Sequence, residues 1–223
     1  FMVDGIIICL CSYKENLDQY IRLQQAEMPM VFYDRIPYGM NVSQVIVDDY
    51  IKAFFLVEHL IREGYRHIVH LQGPDDVYNS VERARGYKDA LAKFNIPFNK
   101  DRMLKAGLTF KDGANAADML IEKGISFDAI FAFTDTLAIG AMNRLRDLGK
   151  KIPEEIAIAS FSGTVLSTIV YPQLTTVEPP LQQMGKVVAE LIIEKIKEPL
   201  SPNRSIVLDA EIKLRASSKK EKK

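Results

Sequence analysis

Residues Asp128 to Phe161, DAIFAFTDTLAIGAMNRLRDLGKKIPEEIAIASF, spell a strand, a helix and a second strand in one piece. Ala129 to Phe133 is an apolar run without alternation, as expected of a parallel strand covered on both faces. Thr134 and Asp135 interrupt it. From Leu137, the positions Leu137, Ile139, Ala141, Met142, Leu145 and Leu148 follow a roughly helical period, and Gly149 ahead of Pro153 gives the stop. Ile156 to Phe161 reads as the next strand. A polar pair between strand end and helix start sits where open α/β sheets bind ligands, near exposed helix amides. The plainer reading is that Thr134 or Asp135 caps the helix.

The same alternation extends outward in both directions. Val3 to Cys11 and Met30 to Tyr33 read as strands around a helix from Leu17 to Gln25, and Ile36 to Gln44 reads as a loop. A helical face at Ala53, Phe54, Val57, Leu60 and Ile61 is closed by Gly64, and the strand His67 to Leu71 stops at Gly73-Pro74. Arg83 to Phe94 and Asp112 to Lys123 are predicted helices flanking a strand at Arg102 to Gly107. Ser162 to Thr176 reads as a Ser/Thr-rich loop, Leu181 to Lys197 as an amphipathic helix, and Ser205 to Leu214 as the last strand. Repeated βα units with short connections predict parallel sheets with helices on both faces, an α/β fold.

Composition excludes several classes. The 29 basic and 29 acidic residues cancel, so no overall field attracts nucleic acid or an acidic surface. Cys9 and Cys11, one residue apart on a predicted strand, face opposite sides and read as small core residues in a reducing compartment. No apolar run is long enough to span a bilayer and no signal peptide is visible. The chain opens on Phe1 without an initiator Met and reads as part of a larger protein.

Catalytic chemistry is scarce. His59, His67 and His70 show no metal spacing with a cysteine or carboxylate motif, and His67 and His70 read as structural. There is no G-x-S-x-G elbow, Walker loop or G-x-G-x-x-G, so no enzyme activity and no cofactor is expected.

Seven strings carry a resemblance. VDGIII (3–8), PMVFYDR (29–35), AFFLVEHLIREGYRHI (53–68), ERARGYKDAL (82–91), DAIFAFTDTLAIGAM (128–142), GKKIPEEIAIASF (149–161) and PQLTTVEPPLQQMG (172–185) follow each other in order and spacing. Together they resemble the effector-binding core of the lac repressor family of bacterial transcription regulators. The resemblance implies a two-lobed fold of the periplasmic-binding-protein type, with a small polar effector held in a cleft between lobes. It also implies a cytoplasmic homodimer that binds operator DNA through a helix-turn-helix domain. That domain is absent from this sequence, and so are the two βα units expected before VDGIII, which leaves the first lobe incomplete. On this reading residues 1–47 and 178–204 form the first lobe, residues 48–177 and 205–218 the second, and 219–223 a tail.

The resemblance also assigns a site. Arg83, three residues before Gly86, matches an arginine that forks onto ligand hydroxyls or carboxylates, its alternative being an ion pair with Glu82 or Asp89. Asn79 and Asp34 match ligand-contacting polar positions, Asp34 being equally readable as a loop cap. Three positions depart from the pattern. Thr134 stands for the usual Asn, Ser162 for the usual acid, and Leu108 for a stacking aromatic ring, with Phe161 beside Ser162 lining the same cleft. With no acid at Ser162 to offset Arg83, a sugar acid or phosphosugar becomes more attractive beside a neutral sugar. An extracytoplasmic solute-binding protein of a sugar transport system is the alternative function.

Overall fold

The computed structural model describes residues 3–10 and 17–220. Within them the chain divides into two units. The first comprises residues 1–48, 76–81 and 179–210, and the second comprises 49–75, 82–178 and 211–223.

The first unit is built on a four-stranded, fully parallel sheet. Its order is β1 (Ile6–Ile8), β2 (Met30–Tyr33), β3 (Ser43–Val47) and β9 (Ser205–Leu208). The β1 strand is shorter than the apolar run predicts, and Cys11 lies outside the described residues. Helix α1 (Leu17–Gln25) contributes Tyr20 and Leu23 to a core of Ile8, Leu10, Met30, Phe32, Ile36, Val42 and Ile46. The long helix α7 (Leu181–Lys197) packs across β1, β2 and β3.

In the second unit a six-stranded sheet runs β10 (Glu211–Lys213), β8 (Thr175–Glu178), β7 (Ala157–Phe161), β6 (Ala129–Ala132), β4 (Ile68–Gln72), β5 (Met103–Lys105). Every pairing is parallel except β10 with β8. Around it pack α2 (Asp49–Arg62), α3 (Tyr78–Lys93, its first residues counted with the first unit), α4 (Phe110–Glu122), α5 (Asp135–Asp147) and the single turn α6 (Leu166–Ile169). Thr109 and Asp112 cap α4 reciprocally, and the Thr109 hydrogen bonds hold the Asp112 carboxyl below its usual range. α4 and α5 approach backbone to backbone. A methyl group added at Gly140 would lie 2.0 Å from Phe110 O, and one at Gly113 would lie 2.2 Å from Leu137 O, which excludes any side chain at either position.

Three expectations need correction. The final strand is divided: Ser205–Leu208 completes the open edge of β3, with Gln44 opposite Ser205 and Val47 opposite Leu208. Only Glu211–Lys213 joins the second unit, so the chain passes over at residues 210 and 211 rather than before Ser205. The loop expected from Ser162 to Thr176 contains α6 and the start of β8, because buried threonine suits a pleated strand whose hydroxyls find partners. Finally, α3 begins at Tyr78 instead of Arg83, since the Tyr78 ring packs against the first unit's core and holds the extra turn.

Candidate functional site

Arg83 sits in the second turn of α3 and is only 4% exposed. A buried guanidinium needs a counter-charge, and Asp49 at the start of α2 supplies it, accepting from Nε at 2.8 Å. Nη1 donates to the Phe133 carbonyl at 2.7 Å. The guanidinium carbon lies 3.6 Å from the Phe161 ring centroid and 4.6 Å from that of Phe133, cation–π distances in a desolvated setting. Four contacts thus fix the plane of the fork, and the Nη2 hydrogens carry no partner among the described residues. The alternative partners are engaged elsewhere, Glu82 with Arg85 and Asp89 with the Tyr50 hydroxyl. Asp49 also removes the premise for an anionic ligand, because Arg83 is compensated without an acid at position 162.

Beside this clamp lies a second polar cluster, centred on a residue expected to cap or to face the ligand. Thr134 is the helix cap, its hydroxyl accepting from Leu137 N at 3.3 Å. Asp135 is fully buried and accepts four hydrogen bonds. Ser160 Oγ and Thr176 Oγ1 reach Oδ1 at 2.7 Å each, while Thr164 reaches Oδ2 through its amide at 2.7 Å and its hydroxyl at 2.8 Å. With both oxygens occupied, this carboxylate ties α5 to β7, β8 and the loop between them. The loop it holds begins at Ser162 and Gly163, whose φ values are +139° and +60°. For Ser162 this is a strained backbone, kept by its amide bond to Val177 O at 3.0 Å and by the Asp135 cluster around it. Gly163 donates to Thr176 Oγ1 at 3.3 Å, and any side chain there would strike Glu178.

Of the expected residues in this unit, the structure brings Arg83 and Phe161 into contact and sets Thr134 and Ser162 immediately after Phe133 and Phe161. Leu108 follows β5 in the connection to α4 and is 40% exposed.

The first unit holds the remaining two. Asp34 follows β2 with φ +56°, a left-handed conformation that aspartate tolerates. Asn79 Nδ2 donates to Asp34 Oδ1 at 3.5 Å, Cys9 Sγ lies 3.9 Å from Oδ2, and Arg35 Nε lies 3.7 Å from Oδ2. Asn79 is 2% exposed, yet its Oδ1 and the hydroxyl of neighbouring Ser80 have no partner among the described residues. Buried polar atoms of this kind are few in native proteins and point to a bound water or ligand.

Sequence reasoning missed Asp49, Phe133 and the hydroxyls of Ser160, Thr164 and Thr176. The doubled acid Asp48-Asp49 was visible, but nothing local marks which arginine it will meet.

A profile of the periplasmic binding protein-like domain family matches residues 57–218. The chain belongs to that family. Within it, the similar proteins are regulators of the lac repressor type. The HTH-type transcriptional repressor PurR of Vibrio atlanticus (strain LGP32) is 30% identical over 97% of this chain and 65% of its own length. The structure of a transcriptional regulator CelR–cellobiose complex superimposes with a TM-score of 0.90 at 28% identity, covering 96% of this chain and 66% of that one. A LacI family transcriptional regulator from Enterococcus faecium with bound ribose gives 0.88 at 25% identity, covering 99% and 81%. The chain is therefore a periplasmic binding protein-like domain similar to those of LacI family regulators, and these relatives are transcription regulators. It spans just under two thirds of the length of these curated relatives. Among the described residues no helix is long and apolar enough to cross a membrane.

Proposed function

We propose that the whole protein is a cytoplasmic, ligand-sensing transcription regulator, and that its effector is a small neutral sugar. The observation that carries this reading is the Arg83 clamp: a guanidinium whose charge is met by Asp49, whose plane is held by two rings, and whose Nη2 hydrogens remain for a ligand hydroxyl. A donor compensated in this way favours a neutral oxygen over a second carboxylate or a phosphate. Asn79 Oδ1 and the Asp34 carboxylate supply acceptors for ligand hydroxyls, and Thr134, Ser162, Phe161 and Leu108 complete the proposed contacts. The cellobiose and ribose held by the two structural relatives support the sugar class.

Operator binding by a helix-turn-helix domain elsewhere in the whole protein is supported by the name of the PurR relative, an HTH-type transcriptional repressor. A homodimer is supported by exposed apolar side chains around α6, where Val165, Ile169 and Tyr171 are 72, 69 and 80% exposed. A ligand can shift DNA affinity only through its difference in affinity between two states, and coupling of about 1–3 kcal/mol changes it about 5- to 150-fold. The test is titration of the full-length protein on its operator with cellobiose, ribose and related sugars, repeated on Arg83→Lys. That variant keeps the charge beside Asp49 but loses the fork. The expected result is a sugar-dependent shift that the variant loses while effector-free operator binding stays the same. An unchanged shift in Arg83→Lys overturns the assignment of Arg83, and no response to any sugar overturns the effector class.

A further inference from the structure

Helix α7 buries Met184, Val188, Leu191, Ile192 and Lys195, one stripe at helical spacing. Four of these are apolar and the fifth carries an ammonium group. Lys195 is 8% exposed, its Nζ donates to the Ser201 carbonyl, and no carboxylate pairs with it among the described residues. Glu194, next to it in sequence, is engaged by Arg204. Burial pushes the Lys195 ammonium below the usual lysine range, with Glu194 opposing and Arg204 assisting. The last-turn carbonyls of α7 offer only partial negative charge, and one carbonyl leaves two of three N–H donors unused.

Lys195 lines a cavity of about 230 Å³ in the first unit, at the end of the sheet where β2 and β3 begin: its lining includes Met28, Met30 and Val42, which precede or open those strands. Ser201 also lines it, and its Oγ is buried without a partner among the described residues. The neighbouring amides of Gln24 and Asn203 each commit one N–H to Asn41 O and carry no charge. What the cavity offers is one unmatched cation, one unmatched hydroxyl and an apolar wall.

We propose that this cavity binds a small organic monocarboxylate, its oxygens on Lys195 Nζ and Ser201 Oγ and its short carbon chain against Met28, Met30 and Val42. One negative charge matches one buried cation. A phosphate dianion leaves a surplus charge in the cavity, and Glu27, also in the lining, repels it further. The volume accommodates an acid of a few carbons, and the unmatched ammonium favours an anion over a neutral sugar. The site is independent of the Arg83 clamp and does not rest on the sugar reading.

Calorimetric titration of the full-length protein with sodium butyrate tests it, in chloride buffer and without sugar. One saturable site is expected, weakened about tenfold or more in Lys195→Met by loss of the charge-assisted bond, and less in Ser201→Ala. Lys195→Arg, which keeps the charge, is expected to retain binding, and Arg83→Lys is expected to bind butyrate as the native protein does. Circular dichroism establishes that each variant is folded; should Lys195→Met fail to fold, the Ser201→Ala comparison decides. Equal affinity in Lys195→Met, or in Ser201→Ala where it alone can be read, overturns the proposal. So does absence of a saturable site in the native protein, and displacement of butyrate by inorganic phosphate overturns the monocarboxylate class.

Discussion

Arg83 and Lys195 are both cations on helices, both more than nine-tenths buried, and they are housed in opposite ways. Arg83 has a carboxylate at 2.8 Å, a carbonyl at 2.7 Å and two aromatic faces. Lys195 has one carbonyl and a cavity. The physical cost of burying charge is the same kind in both places, so the difference lies in who supplies the counter-charge. In the second unit the protein does so itself, through Asp49. In the first, the arrangement is incomplete until an anion arrives.

The contrast predicts its largest effect at Asp49. Asp49→Ala strands the Arg83 guanidinium in the second unit's interior, and breaking a buried pair from one side costs about 3–5 kcal/mol. Chemical denaturation of Asp49→Ala should show a fall of that size, with a substantial part recovered in Asp49→Ala/Arg83→Met, where the unpaired charge is gone. A loss below about 1 kcal/mol in the single variant means that Arg83 is compensated by something other than Asp49, and the comparison between the two cations then fails.

How much of this was legible in the sequence depends on the range of the interaction. The βα alternation and the bounds of β2 and α7 were readable, because apolar period and local stop signals are sequence-local. The division of residues 205–214 between two sheets was not: which strand edge a short apolar run completes depends on a partner some 160 residues away in sequence, as with Gln44 and Ser205. Arg83 could be singled out, yet its partner Asp49 is 34 residues away. Asp135 stood next to the true cap, Thr134, and its role as a four-fold acceptor depends on a hydroxyl at 160 in the following strand and on hydroxyls at 164 and 176 that looked like loop residues. Lys195 is a different case. Its place in the stripe Met184, Val188, Leu191 was visible from spacing alone, and a charge at a core position is the kind of local inconsistency that marks function or strain.

A third buried titratable group sharpens the comparison, because it avoids charge altogether. His70 is stacked against Phe131 at 4.6 Å, flanked by Tyr87 at 5.3 Å, and its Nδ1 bonds to Phe131 O at 2.9 Å. Burial pushes its pKa down to about 4, the Phe131 bond opposing and Arg83 and Lys88 adding smaller depressions. Between pH 6.5 and 4 the unfolded chain therefore binds a proton that the folded chain does not. Stability is full above about pH 6.5 and falls as pH drops toward 4, by about 2 kcal/mol at pH 5 from this group alone. Denaturation curves from pH 7.5 to 4.5 should show this slope, reduced by that amount in His70→Phe. An identical slope in the variant assigns the acid sensitivity to other groups, His59 among them, whose pKa burial also lowers.

The smallest effect is expected at Lys195, and its smallness is the point. In the absence of an anion, Lys195→Met removes a buried, incompletely matched charge from an apolar stripe and leaves no partner carboxylate behind. The gain from lifting that desolvation is offset by losing the bond to Ser201 O and about 0.3–1 kcal/mol of favourable interaction with the end of α7. Net stability should stay within about 1 kcal/mol of the native protein, against the 3–5 expected at Asp49. Adding butyrate should then separate the two proteins, since a ligand that binds only the folded state raises stability by RT ln(1 + [L]/Kd), about 1.4 kcal/mol at tenfold excess over Kd. Thermal unfolding with increasing butyrate should move the native midpoint upward and leave that of Lys195→Met in place. A loss of several kcal/mol in the variant without ligand would mean that the ammonium is already neutralised within the protein. Lys195 would then be a second Arg83, and the distinction between a cation compensated by the protein and one compensated by its ligand would disappear.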